Sequence, residues 1–140
     1  MTTETKEKAR VILENFLYLF LLRLALILFF FAFKRPFVFV SQATYVNPIA
    51  YYFLAGLIHW HVGGRVGKAG VEFGKLIVVA IHLPYFIMAG VTGGMIWPSN
   101  FNLMEYGISS CVFLIVALTS SHWAEKKGKG NGRRRGDRSI

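Results

Sequence analysis

The amino-acid sequence predicts an all-α, polytopic membrane protein with four transmembrane helices and both termini on the same side. Three observations carry this. Of 140 residues, 54% are hydrophobic and 16% aromatic. The apolar residues are gathered into blocks about as long as the roughly 20 residues a helix needs to cross a bilayer. The charges, which sum to +9, lie mostly at the ends of the chain and between those blocks. A single Cys excludes an internal disulfide and a four-Cys zinc site. The apolar content excludes a disordered chain.

The four expected spans run from about Val11 to Phe33, Tyr45 to Val62, Leu76 to Trp97 and Leu103 to Ser121. Inside a bilayer no water satisfies an irregular backbone, so such blocks must be helical. The first is too long for a cleaved signal peptide, and Glu4 and Glu7 precede it. Lys34-Arg35-Pro36 closes it, and Pro48 suits the first turn of the second helix. Gly63, Gly64 and Gly67 read as a loosening of the chain after the second span. Pro98-Ser99-Asn100 reads as a tight turn. Residues 1–123 thus form the helical bundle. Residues 124–140, basic and rich in Gly, read as a disordered tail.

Orientation follows from the positive charges. Lys6, Lys8 and Arg10 precede the first span, Arg65, Lys68 and Lys75 lie between the second and third, and the tail adds Lys126, Lys127, Lys129, Arg133, Arg134, Arg135 and Arg138. With four spans all of these share one side, and Lys34 and Arg35 fall on the other. Positively charged flanks stay on the cytoplasmic or matrix side, so both termini are expected there. The tail is expected to contact anionic lipid such as cardiolipin. Nucleic acid is not an expected partner, because no aromatic residues interleave these charges.

The segment Leu57 to Arg65 holds two imidazoles, His59 and His61, near the inner end of the second span. Neutral imidazole is a common axial ligand of heme iron. At 100° per residue the two rings point about 200° apart, so one helix cannot bring both to the same iron. The alternative is that both are interfacial histidines bonded to lipid or to backbone carbonyls.

His59-x-x-x-Gly63-x-Arg65 resembles a stretch in the larger membrane-anchor subunit of succinate dehydrogenase, respiratory complex II. His59-x-His61-x-Gly63 resembles the smaller anchor. The resemblance implies that His59 ligates heme b, with Arg65 and His61 beside it, and that ubiquinone binds nearby. It implies as partners a second anchor together with iron–sulfur and flavoprotein subunits. The membrane would be the mitochondrial inner membrane or a bacterial plasma membrane. Family members carry an acidic residue eleven positions after the ligand; Gly70 stands there in this chain, and Glu72 takes that place only with a shifted loop. The family has three helices per anchor, so the fourth here is a departure.

Arg23 falls near the middle of the first span, where a charge is costly and faces protein or a polar cofactor group. It reads either as a contact to propionate, quinone or cardiolipin, with Lys68 and Glu72 as further candidates, or as an interhelical pair. His82 reads as bonding the backbone that Pro84 loosens, or as a heme ligand. Gly90 with Gly93 and Gly94 reads as a close-packing motif. Ser109 and Ser110 read as polar contacts between helices. Cys111 has no neighbouring base to make it a nucleophile. Two functions are therefore expected in competition: an anchor of a succinate–ubiquinone oxidoreductase, and a cofactor-free accessory subunit of a large membrane complex. A transporter is disfavoured by the lack of an inverted repeat.

Overall fold

The computed structural model describes residues 2–33, 46–96 and 102–138. These form four helices: α1 (Thr3–Phe33), α2 (Val46–Ala69), α3 (Gly74–Ile96) and α4 (Leu103–Arg138). Three of them, α1, α3 and α4, are long and apolar enough to cross a membrane, so the chain has the character of an integral membrane protein. The expected turns at Lys34-Arg35-Pro36 and Pro98-Ser99-Asn100, and Tyr45 and Trp97 at the span ends, lie outside the described residues.

Local chemistry explains the helix ends. The Thr2 carbonyl accepts from the Lys6 amide and its hydroxyl from the Thr5 amide, so α1 starts well before its apolar stretch. Glu4–Lys8 and Arg10–Glu14 ion pairs, each four residues apart, support that polar first part. The Asn102 side chain accepts from the amides of Met104 and Glu105, which caps α4. Gly70, at φ +65°, ends α2 in the left-handed conformation that glycine adopts without penalty. Phe73 takes φ +61° just before α3, a conformation that strains a residue with a Cβ.

Contacts fix the topology. Asn15, Tyr18 and Arg23 of α1 meet Arg65, His61 and Tyr51 of α2, so these helices are antiparallel. Gly90 and Gly74 of α3 lie against Tyr106 and Glu125 of α4, which makes that pair antiparallel too. α2 and α4 run in the same direction and form the most extensive interface in the bundle.

Besides the early start of α1, at Thr3 rather than about Val11, two boundaries differ from the sequence expectation, and both have a physical cause. α2 does not stop at Val62 but continues to Ala69. Gly63 and Gly67 do not loosen the chain. A Cβ on Gly63 would run into the Ala117 backbone and one on Gly67 into Ser121 and Ala124, so these glycines let α4 approach closely. α4 likewise continues past Ser121 to Arg138, as a helix through the segment expected to be disordered. A helix already nucleated extends without a new nucleation step and no proline interrupts this one, although Gly128, Gly130, Gly132 and Gly136 each cost about 1 kcal/mol relative to Ala. Its 36 residues measure about 54 Å at 1.5 Å each, so the basic end projects beyond the α2–α3 connection.

The core is built from Leu19, Leu26, Val62, Val66, Val78, Ile81, Phe86 and Phe113, among others, at the meeting of all four helices. Outward, large apolar side chains such as Leu21, Phe53, Leu83, Ile108 and Ile115 are exposed, as on a surface that faces acyl chains.

Candidate functional site

Inside this apolar frame sit polar side chains that a bilayer would otherwise make costly. Arg23, His59 and His82 are all buried, the two histidines completely. His82 Nδ1 lies 2.8 Å from the Val78 carbonyl and its Nε2 lies 3.0 Å from His59 Nδ1. For two neutral rings this network assigns the protons. A carbonyl only accepts, so His82 Nδ1–H donates to Val78, His82 Nε2 accepts, and His59 Nδ1–H donates to it. His59 Nε2 is left with a lone pair, buried and without a partner.

The His59 ring stacks on Phe113 of α4, centroids 4.7 Å apart and planes 11° from parallel. Phe86 of α3 lies 5.6 Å away. Beside it the Arg23 Nε–H donates to the Tyr85 hydroxyl over 3.2 Å. The Arg23 guanidinium also lies 5.4 Å from the ring centres of both Tyr51 and Phe113, within cation–π range. Its Nη1 is buried and unpartnered.

A second group lies at the other end of α2. The Arg65 Nε–H donates to the Asn15 side-chain oxygen over 3.3 Å, and its guanidinium lies 4.4 Å over the Tyr18 ring. The Tyr18 hydroxyl and His61 Nε2 are 3.0 Å apart. His61, Arg65, Lys68 and Glu72 line one open cleft of about 1020 Å³, whose rim includes Trp60, Trp123 and Lys127. Glu72 also pairs with Lys8 at 3.7 Å.

The six residues singled out from the sequence therefore divide. Four meet at the basic cleft, while His59 and Arg23 are in the bundle interior. No family model, curated protein or solved structure matches this chain. What the buried residues can do thus rests on their own geometry. A heme at His59 needs an accessible Nε2 and a flat space beside it for the macrocycle. Here Nε2 is enclosed without a partner, and Phe113 stacks on one face of the ring. Among the described residues no three His, Cys, Asp or Glu side chains converge as a metal ion requires.

Four contributors escaped the sequence reading: the pairing of His59 with His82, the Tyr85 hydroxyl, the Phe113 ring and the Tyr52–Glu105 bond, 2.6 Å from hydroxyl to carboxylate. The histidines carried a signal, being two imidazoles in neighbouring apolar blocks. Phe113 carried none among 13 Phe. Of the other candidates, Ser109 Oγ bonds the Tyr106 carbonyl of its own helix over 3.0 Å, and Cys111 is exposed. His82 bonds Val78, one turn back, rather than the carbonyl of Ala80 that Pro84 leaves free.

Proposed function

We propose that this chain is a structural subunit of a larger membrane complex, a four-span bundle in which α2 also crosses the bilayer. One observation carries the reading. The polar side chains that the sequence offered to a cofactor are engaged in joining helices: His59 to His82, Arg23 to Tyr85, Arg65 to Asn15 and His61 to Tyr18. Such bonds fix the relative positions of helices where the hydrophobic effect cannot, because lipid is as apolar as the side chains. The long basic end of α4 gives the bundle an arm for an acidic partner or an anionic leaflet, and the cleft with Arg65, Lys68 and Lys127 supports contact with a lipid such as cardiolipin.

Size decides this reading. Extracted gently in a mild detergent, the tagged chain runs in an assembly several times its own 15.8 kDa, and a His82→Leu variant reduces that assembly. Migration as a free monomer at native expression levels would remove the proposal.

One observation favours a narrower second reading, an anchor of a succinate–ubiquinone oxidoreductase. The His59 Nδ1–H is held by a hydrogen bond while Nε2 keeps its lone pair, the protonation pattern of a heme-ligating imidazole. In this reading α2 and α4 part around Phe113 within the holo-complex. Co-purification of flavin and iron–sulfur subunits, with a b-type band in the reduced-minus-oxidised spectrum that weakens in His59→Ala, is the expected result. An assembly without flavin or heme eliminates it and leaves the structural role intact.

A further inference from the structure

α1 packs mainly on α2 and α3, and one face of it meets nothing among the described residues. Along that face Arg10, Glu14, Leu17, Leu21, Leu24 and Leu28 follow one another at alternating steps of four and three residues. At 100° per residue these positions fall within about 80° of one another. The buried residues of the same helix, Asn15, Leu19, Arg23 and Leu26, are centred about 180° away. The row therefore points straight out of the bundle, and its leucines are 40% to 59% exposed. At its head the Arg10 Nε–H donates to Glu14 Oε1 over 2.8 Å. That bond leaves the two terminal amino groups of Arg10 and the second oxygen of Glu14 without a partner among the described residues.

We infer that this row is the interface for a second copy of the chain, the two α1 helices lying side by side about a two-fold axis along the membrane normal. Copies inserted with the same orientation present parallel α1 helices. Leucines repeating at steps of three and four interlock at the shallow left-handed crossing of most membrane bundles. Charge complementarity selects the occupant. A helix laid on this face must offer an acceptor to Arg10 and a donor to Glu14 at one level, at the head of an apolar row. A second α1 carries both in register. Across the axis each guanidinium reaches the other copy's carboxylate, and the two intrahelical pairs close into a ring of charge-assisted hydrogen bonds. Acyl chains cover the leucines of a single bundle equally well but supply neither polar group. This inference goes beyond the proposed role in a complex and does not depend on it.

Cysteine cross-linking of the full chain in native membranes, in a Cys111→Ser background, tests it. Oxidation of Leu21→Cys, Leu24→Cys or Leu28→Cys is expected to give a disulfide-linked dimer of the chain. Ile27→Cys, also exposed but about 100° round the helix from the row, should give far less. Arg10→Glu gathers four carboxylates on the axis and should lower the Leu24→Cys yield about fivefold, through two lost exposed pairs and new repulsion. Glu14→Arg should do the same. Co-expression of these two variants should restore the link, because the mixed pair is again complementary. Equal yields at Leu24→Cys and Ile27→Cys, a link from the row to a polypeptide of another mass, or no recovery in the mixed pair overturns the proposal. Each of these results leaves the role in a complex standing, since that rests on the size of the assembly.

Discussion

His59 and His82 hold each other across the interface of α2 and α3, with Nδ1 and Nε2 3.0 Å apart and both rings fully enclosed. The Val78 carbonyl at the far end of the chain sets the direction of both protons. The two rings therefore act as one connector, and each is useful only while the other is present.

That dependence is measurable. His82→Leu leaves the His59 Nδ1–H buried without an acceptor, at a cost of about 1–3 kcal/mol. In His59→Leu/His82→Leu neither orphan remains, so the double variant should be more stable than the sum of the single losses predicts. A double-mutant cycle in detergent, read by unfolding, is expected to give a coupling of about 1 kcal/mol. Simple additivity would show that the pair is not coupled.

The α2–α4 interface makes a graded prediction. Gly63→Ala places a methyl against the Ala117 backbone, which cannot yield, and should separate the helices at a cost of a few kcal/mol, about 1–3 for overpacking. Gly64→Ala meets the Ser120 hydroxyl at 3.1 Å, a single side-chain atom that yields at the expense of its hydrogen bond to the Trp60 carbonyl, and should cost less than a clash with backbone. Gly56→Ala meets only the edge of Phe113 at 4.0 Å and should be neutral or gain up to about 1 kcal/mol of helix propensity. Thermal unfolding of the three variants that departs from this order counts against the packing described.

Phe73 offers the opposite case, a large apolar residue whose replacement should be tolerated. It is 66% exposed, so little burial is lost, while its positive φ costs about 1–2 kcal/mol that Asn largely avoids. Lys8 lies 5.2 Å over its ring, an exposed contact of about 0.5–1 kcal/mol that offsets part of the gain. Phe73→Asn is expected to unfold no earlier than the unaltered chain. A clear loss of stability would mean that the ring has a partner outside this chain.

Topology is testable by labelling. With Cys111 replaced by Ser, single cysteines at Thr3 and Gly136 should react with a membrane-impermeant maleimide from the same side of sealed vesicles. Labelling from opposite sides would mean three crossings, with α2 lying outside the bilayer.

Much of the fold was legible in the sequence, because a bilayer leaves an apolar block of span length no alternative to a helix. α1, α3 and α4 appear where their blocks predict, and the opposed directions of His59 and His61 follow from the helical repeat alone. What only the tertiary structure decided is which surfaces meet. Gly63 and Gly67 look like chain breakers in one dimension, and become a contact surface once Ala117 and Ser121 lie opposite. Arg23, His59 and His82 are isolated polar residues along the chain, and become a connected interior group because α1, α2 and α3 place them side by side around Phe113. Composition fixes that α1, α3 and α4 are long and apolar enough to cross a membrane. Packing, which depends on shape at atomic distance between residues far apart in sequence, determines whether a buried imidazole is free for a ligand or is joined to its neighbour.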